Sequence, residues 1–104
     1  MDKYKVKLSP EAYADLKALN DYIMIELQEP EIAHKNFRLI VDELFKLDSM
    51  PNRNAPVDIP KYKEKNMRKM IIKEYVVIYE VYDEDKIVMI RAIVHGSTDW
   101  QNRI

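Results

Sequence analysis

One stretch of the chain, residues 67–95, limits the possible folds more than any other part of the sequence. Val, Ile and Tyr dominate this stretch, and these are residues that favour a half-buried strand. Two short polar breaks, Lys73-Glu74 and Asp83-Glu84-Asp85, divide it into three segments of strand length. Because the connections are so short, the three strands are predicted to form an antiparallel meander.

The last of these strands is predicted to place its residues alternately on two faces of the sheet. One face is wholly apolar and needs to be covered, and it consists of Val88, Ile90, Ala92 and Val94. The opposite face mixes apolar residues with two nitrogen-bearing side chains, and it consists of Ile87, Met89, Arg91, Ile93 and His95. This second face is therefore the first candidate surface for chemistry or for contact with a partner.

The segment before the meander is predicted to form a strand and then a helix. Residues 3–8 alternate lysine with apolar or aromatic residues, which is typical of an edge strand. Ser9 is expected to cap the helix and Pro10 suits its first turn. The helix is expected to run to about Leu27, with an apolar stripe of Ala12, Leu16, Leu19 and Ile23.

A second helix is predicted to follow Glu29-Pro30-Glu31 and to end near Asp48, because a proline and two acids suit a first helical turn. Its apolar stripe consists of Ala33, Phe37, Ile40, Val41, Leu44 and Leu47. Two helices joined so tightly form an antiparallel hairpin, which would cover the apolar face of the last strand. The predicted fold is α+β with two layers in the order β-α-α-β-β-β: an N-terminal helix hairpin packed on a small, mainly antiparallel sheet. A single domain over residues 1–104 is expected.

The rest of the chain is predicted to be irregular. Residues 49–66 contain three prolines and little periodicity, which indicates a long surface loop. Trp100 lies close to the C-terminus and is expected to anchor the tail on the body of the domain. Lysine and arginine crowd one short stretch as Lys61, Lys63, Lys65, Arg68, Lys69 and Lys73. This run is either a solvated edge or a local phosphate-binding patch.

Composition excludes several classes of function. The chain has no cysteine and no apolar run of membrane-spanning length, which predicts a cytoplasmic protein without disulfides, thiolate chemistry or membrane contact. His34 and His95 are too far apart for metal-ligand spacing, and the single glycine cannot form a phosphate-binding loop. Neither a metal nor another cofactor is therefore expected.

Three segments of the chain together resemble toxins of the RelE/ParE superfamily, which belong to type II toxin–antitoxin modules. They are YKVKLSPEAYADLKALNDYI, EIAHKNFRLIVDELFKLDSMPNR and RKMIIKEYVVIYEVYDEDKIVMIRAIVHGSTDW, and they cover nearly the whole chain. The resemblance implies the same helix hairpin on a small sheet. It also implies a growth-inhibiting toxin that a cognate antitoxin wraps and silences in a hetero-oligomer.

The resemblance leaves two targets open, because RelE-like toxins cut messenger RNA on the ribosome and ParE-like toxins poison DNA gyrase. In a RelE-like enzyme, which would be a metal-independent endoribonuclease, four residues of this chain would be catalytic: Arg68, Lys69, Arg91 and His95. Lys69 would hold the phosphate, and Arg68 or Arg91 would balance the developing charge. His95 would transfer protons.

Departures from the RelE-like pattern favour gyrase as the target. RelE-like nucleases commonly carry an arginine where this chain has Val76, and an arginine pair where it has Ser97 and Thr98. A gyrase poison needs a shaped binding surface and no catalytic set. Gyrase poisoning is therefore the favoured prediction, and ribosome-dependent mRNA cleavage is the alternative.

The candidate residues also have structural interpretations. Arg91 would pair with a nearby acid or lie beside Tyr79, His95 would make a satisfied hydrogen bond at the end of its strand, and His34 would be exposed. The antitoxin is expected to cover apolar residues outside the core, namely Tyr13, Tyr22, Met24 and the Met89–Ile93 face.

Overall fold

A computed structural model, which describes residues 3–62 and 64–103, has a four-stranded sheet with two long helices packed on one face. The strands are β1 (Lys5–Leu8), β2 (Met67–Ile72), β3 (Tyr75–Tyr82) and β4 (Ile87–His95). The helices are α1 (Pro10–Leu27), α2 (Pro30–Phe45) and a short α3 (Trp100–Arg103). The predicted α+β class, the two layers and the order of the main elements are confirmed.

The sheet is mixed, with the strand order β1-β4-β3-β2. β2, β3 and β4 form the predicted antiparallel meander, and β1 pairs in parallel with the first half of β4. Both turns of the meander fall at the predicted polar breaks. Each turn uses one lysine in the left-handed region, Lys73 at φ 54° and Lys86 at φ 56°.

The helix hairpin forms as the sequence indicates. The Ser9 hydroxyl accepts a hydrogen bond from the Ala12 amide at 3.1 Å, so the predicted cap of α1 is confirmed. Helix α2 ends at Phe45 and is followed by a single 3₁₀ turn, Lys46–Asp48. The predicted stripes reach the core through Ala12, Leu19, Ile23, Ala33, Ile40, Leu44 and Leu47. Two of the residues predicted for the second stripe, Phe37 and Val41, are only half-buried.

Strand β4 contains a β-bulge at Arg91. Ile78 of β3 pairs with Ala92, whereas its neighbour Tyr79 pairs with Ile90, so Arg91 is an extra residue in the ladder. An extra residue interrupts the strict alternation of side chains along a strand. Even-numbered residues of β4, such as Val88 and Ile90, therefore face the helices before the bulge, and odd-numbered residues, such as Ile93, face them after it.

The bulge overturns one prediction about β4. We call the sheet face under α1 and α2 the helix face, and the other one the open face. Val88 and Ile90 lie in the core of the helix face, and they are joined there by Ile93. Ala92 and Val94 instead pack in a second cluster on the open face. The prediction that Val88, Ile90, Ala92 and Val94 share one covered face is wrong, because the bulge shifts the alternation by one residue.

The predicted surface loop, residues 49–66, is a packed segment that covers part of the open face. Val57 donates its amide hydrogen to the Met67 carbonyl at 2.8 Å, and the Lys69 amide donates to the Ala55 carbonyl at 3.0 Å. Val57 is buried in the open-face cluster, and Ile59 and Tyr62 pack against it. The described part of this segment packs along β2 because its apolar side chains need burial.

The C-terminal tail covers a further part of the open face. The Trp100 side chain is buried in the open-face cluster with Val76, Ile78 and Val94. The predicted anchoring role of this tryptophan is confirmed. Within the part of the chain that the structure describes, no helix has the length and apolar character needed to cross a membrane.

Candidate functional site

The four basic residues that would be catalytic in a RelE-like enzyme are divided between the two faces of the sheet. Lys69 lies opposite Ile78 and over the Trp100 ring, and Arg91 contacts Glu80, so both of these cations are on the open face. Arg68 and His95 belong to the helix face.

Two features of the strands cause this division. Arg68 and Lys69 are neighbours in β2, so their side chains must point to opposite faces. Arg91 and His95 are four residues apart in β4 and were predicted to share a face. That prediction is wrong, because the bulge at Arg91 lies between the two halves of the strand. The four side chains are therefore not brought together into one cluster.

Arg91 is held in a partly buried ion pair. Its Nη2 atom donates to Glu80 Oε1 at 3.0 Å and to the Tyr82 hydroxyl at 2.6 Å, and that hydroxyl donates to Glu80 Oε1 at 2.8 Å. Burial opposes the charged form of Arg91, but the hydrogen bond and negative charge of Glu80 outweigh it and raise the pKa of the guanidinium. The interpretation of Arg91 as the partner of a nearby acid is confirmed, although the neighbouring tyrosine is Tyr82 and not Tyr79.

Sequence reasoning missed Glu80, the residue on which this arrangement depends. Its side chain is only 10% exposed, and it is an ionisable group within β3, whose other seven residues are apolar or aromatic. A carboxylate in such a strand requires a cationic or hydrogen-bonding partner. That requirement is the signal in the sequence that points to a partner such as Arg91.

Arg68 ties the 49–66 segment to the sheet. Its Nε atom donates to the side-chain oxygens of Asn52 and Asn66 at 3.1 and 3.0 Å, and its Nη1 atom donates to the Asn54 carbonyl at 2.6 Å. These contacts use the guanidinium to hold neighbouring backbone and amide groups in place. The geometry of Arg68 is that of a structural cross-link.

The same asparagines reach Asp83 in the turn between β3 and β4. Asp83 Oδ1 accepts hydrogen bonds from the Tyr4 hydroxyl at 2.6 Å and from Asn52 at 2.9 Å. The Tyr4 hydrogen bond, followed by that of Asn52, lowers the pKa of Asp83. This polar network joins the N-terminal segment, the 49–66 segment and the meander on one side of the molecule.

His95 lines a groove between α1 and the end of β4. Its Nδ1 atom is 2.7 Å from Ser97 Oγ, and its Nε2 atom is 3.4 Å from Glu74 Oε2. The ring also packs edge-on against Tyr75, with ring centroids 5.7 Å apart. The prediction of a satisfied histidine at the strand end is confirmed. The groove has a volume of about 510 Å³, and α1 contributes Asp15, Ala18, Leu19 and Tyr22 to its wall.

The residues predicted to contact an antitoxin are exposed only in part. Tyr13, Tyr22 and Met24 of α1 are 67%, 54% and 40% exposed. The predicted Met89–Ile93 face does not exist as one surface, because Ile93 is buried under the helices on the other side of the bulge.

His34 is exposed, as predicted. Among residues 3–62 and 64–103, no three His, Asp or Glu side chains are grouped so that they would hold a metal ion.

The fold is shared with solved structures of toxin–antitoxin systems. The chain is similar to one from the chromosomal ParDE system of P. aeruginosa, with a TM-score of 0.71, 23% sequence identity, and coverage of 91% of this chain and 98% of that chain. It is similar to one from the RelBE2 complex of Mycobacterium tuberculosis, with a TM-score of 0.67, 22% identity, and coverage of 94% and 97%. An archaeal RelE-RelB complex from Pyrococcus horikoshii OT3 has a TM-score of 0.52, 16% identity, and coverage of 91% and 97%.

The family is shown by the sequence itself. A family described as the ParE toxin of the type II toxin–antitoxin system, parDE, matches residues 6–100, which extend from β1 to Trp100. No sequence among curated proteins matches this chain significantly. The chain belongs to the ParE toxin family, within the RelE/ParE superfamily that its sequence resembles.

We predict that Arg91→Ala destabilises the domain by about 1–3 kcal/mol, because it leaves the Glu80 carboxylate buried without its cation. The 38% exposure of the Arg91 side chain keeps the loss below that of a fully buried pair. Urea unfolding measures this loss, with Arg38→Ala on the exposed side of α2 as a control that is expected to change little. A Glu80→Gln/Arg91→Met variant should lose less stability than Arg91→Met alone. Unchanged stability in Arg91→Ala would contradict a structural role for the ion pair.

Proposed function

We propose that this protein is the toxin component of a type II toxin–antitoxin module and that it inhibits growth by poisoning DNA gyrase. The ParE family match over residues 6–100 supports the first part. The resemblance to ParE-like toxins, which act through contact with gyrase, supports the second part. The observation that carries the choice of target is the division of the four candidate catalytic residues between two faces of the sheet.

That division counts against a nuclease site because cleavage of RNA through its 2′-hydroxyl requires several groups at one phosphate. A base must reach the hydroxyl within about 3 Å, and cations must face the same phosphorane. His95 is separated from Lys69 and Arg91 by the sheet itself. The charge of Arg91 is also offset by Glu80, and Arg68 is occupied by asparagine side chains and backbone.

A gyrase poison makes a different demand, since it needs a rigid surface that its target recognises. Two surfaces of the described residues are candidates for this contact. The open face is fixed by the 49–66 segment and Trp100, and the helix face ends in the groove beside His95. Neither surface requires a proton transfer.

We further propose that a cognate antitoxin silences the toxin by covering α1. The exposed side chains of Tyr13, Tyr22 and Met24 support this proposal, because exposed aromatic and apolar groups are common anchors of protein interfaces. Two of the similar solved structures, ParDE and RelBE2, are described as a toxin–antitoxin system and a toxin–antitoxin complex, which also supports an antitoxin partner. A disordered antitoxin segment that folds on binding suits such a helical surface.

Co-expression with the product of the neighbouring open reading frame tests the antitoxin proposal. We expect copurification and rescue of growth, and we expect Tyr13→Glu/Tyr22→Glu to weaken both by adding charge to the interface. Lys35→Gln/Arg38→Gln on the exposed side of α2 is the control, because it makes the net charge more negative by the same amount outside α1. Full copurification of the tyrosine variant would show that the antitoxin binds elsewhere.

The gyrase proposal is tested by incubating the purified protein with gyrase and supercoiled plasmid, and then denaturing the enzyme. We expect linear DNA from trapped cleavage complexes, in an amount that rises with toxin concentration. The same preparation is added to ribosomes programmed with messenger RNA, where we expect no cut in the A site. Ribosome-dependent cuts without linear plasmid would overturn the proposal and establish the nuclease alternative.

A further inference from the structure

The two layers of the domain carry opposite charge. Residues 9–48, which contain α1 and α2, have nine acids and four bases, a formal charge of −5. The whole chain has a formal charge of −1, so the remaining residues together carry +4. The net charge of the chain is close to zero because the negative charge of the helical layer and the positive charge of the rest of the chain nearly cancel. We call this difference the charge asymmetry.

The open face collects lysines from three separate parts of the chain. On β1, Val6 and Leu8 pack in the core of the helix face, so Lys5 and Lys7 must point to the open side. Lys69 reaches the open face from β2. The 49–66 segment adds two more cations beside Tyr62, namely Lys61 and Lys65.

Three of these lysines are positioned over aromatic rings. The Nζ atoms of Lys61 and Lys65 lie 5.1 and 6.0 Å from the centre of the Tyr62 ring, and that of Lys69 lies 5.6 Å from Trp100. Both rings pack on the same open-face cluster. The cation–π contacts restrict the lysine side chains, so less conformational entropy is lost when an anion binds. Lys63 of the same run lies outside the described residues.

The carboxylates near this surface do not cancel its charge. Glu80 is buried and paired with Arg91, so that pair contributes no net charge. Glu11 of α1 reaches the pocket beside Lys65 and Arg91, and Asp58 and Glu64 lie in the segment that carries Lys61 and Lys65. Asp99, which directly precedes Trp100, is a fourth acid at this surface, and against these four acids stand the five lysines at positions 5, 7, 61, 65 and 69.

We infer that the open-face lysines, chiefly Lys61, Lys65 and Lys69, contact the sugar–phosphate backbone of the duplex DNA that gyrase holds. This inference rests on the proposed function, because it places the toxin against the DNA of the gyrase complex as well as against the enzyme. Lysines neutralise phosphates and release their counterions, which gives affinity without sequence preference. The acidic helical layer is repelled by DNA and faces away, so the charge asymmetry fixes the orientation.

The salt dependence of binding to a short duplex DNA of arbitrary sequence measures these contacts directly. Lys61→Gln/Lys65→Gln is expected to reduce the magnitude of the slope of log K against log [salt] by about 1.8, which is about 0.9 for each lost phosphate contact. Lys17→Gln/Lys35→Gln removes the same charge from the helical layer and is expected to leave the slope unchanged. Thermal unfolding confirms that each variant is folded. If the first variant does not fold, Lys5→Gln/Lys7→Gln takes its place.

The gyrase–plasmid assay with the same variants separates this inference from the proposed function. We expect the Lys61/Lys65 variant to trap fewer cleavage complexes than the control variant. If both variants trap the same amount of cleavage complex and have the same salt slope, the open-face lysines do not contact DNA and the inference is overturned. Gyrase poisoning would still stand in that case. A lysine-dependent salt slope without any trapping by the unmodified protein would support DNA contact and refute gyrase poisoning. Tighter binding to single-stranded RNA than to duplex DNA at one salt concentration would overturn the assignment to DNA.

Discussion

The ion pair between Glu80 and Arg91 lies at the β-bulge of β4, and the arrangement of both faces of the sheet depends on that bulge. A buried carboxylate without a partner would be strongly unfavourable, and the extra residue of the bulge places a guanidinium within 3.0 Å of it. Beyond Arg91 the strand continues with its alternation shifted by one residue. Ile93 then packs under the helices, while Ala92 and Val94 complete the apolar cluster of the open face.

This local irregularity supports our proposal that the chain acts by contact with its target and not as a nuclease. His95 faces α1 and the groove, Arg91 is held by Glu80, and Lys69 stands over Trp100 on the opposite side of the sheet. The side chains that a nuclease would gather at one phosphate are thus kept apart by the backbone. One fold can support different activities, which is why the fold alone does not identify a target.

Much of the fold could be predicted from local signals in the sequence. The Ser9-Pro10 cap and the helical stripes report interactions within a few residues, and the polar breaks at 73–74 and 83–85 mark turns in the same way. The parity of β4 could not be predicted, because the alternation of residue types along the strand does not reveal the bulge at Arg91, which is defined only by the register of β4 against β3. The packing of part of the 49–66 segment was missed because its prolines and its lack of periodicity indicated a surface loop, although Val57 and Ile59 are apolar residues that require a packing surface.

The central claim is that the toxin acts by contact and does not use His95 for proton transfer. The most direct test is growth inhibition by His95→Gln at matched expression, because glutamine keeps a hydrogen-bonding amide beside Ser97 and cannot exchange a proton near neutral pH. The account predicts growth inhibition equal to that of the unmodified protein. Loss of growth inhibition in a variant with unchanged thermal unfolding would contradict it and would return His95 to the role of a catalytic acid or base.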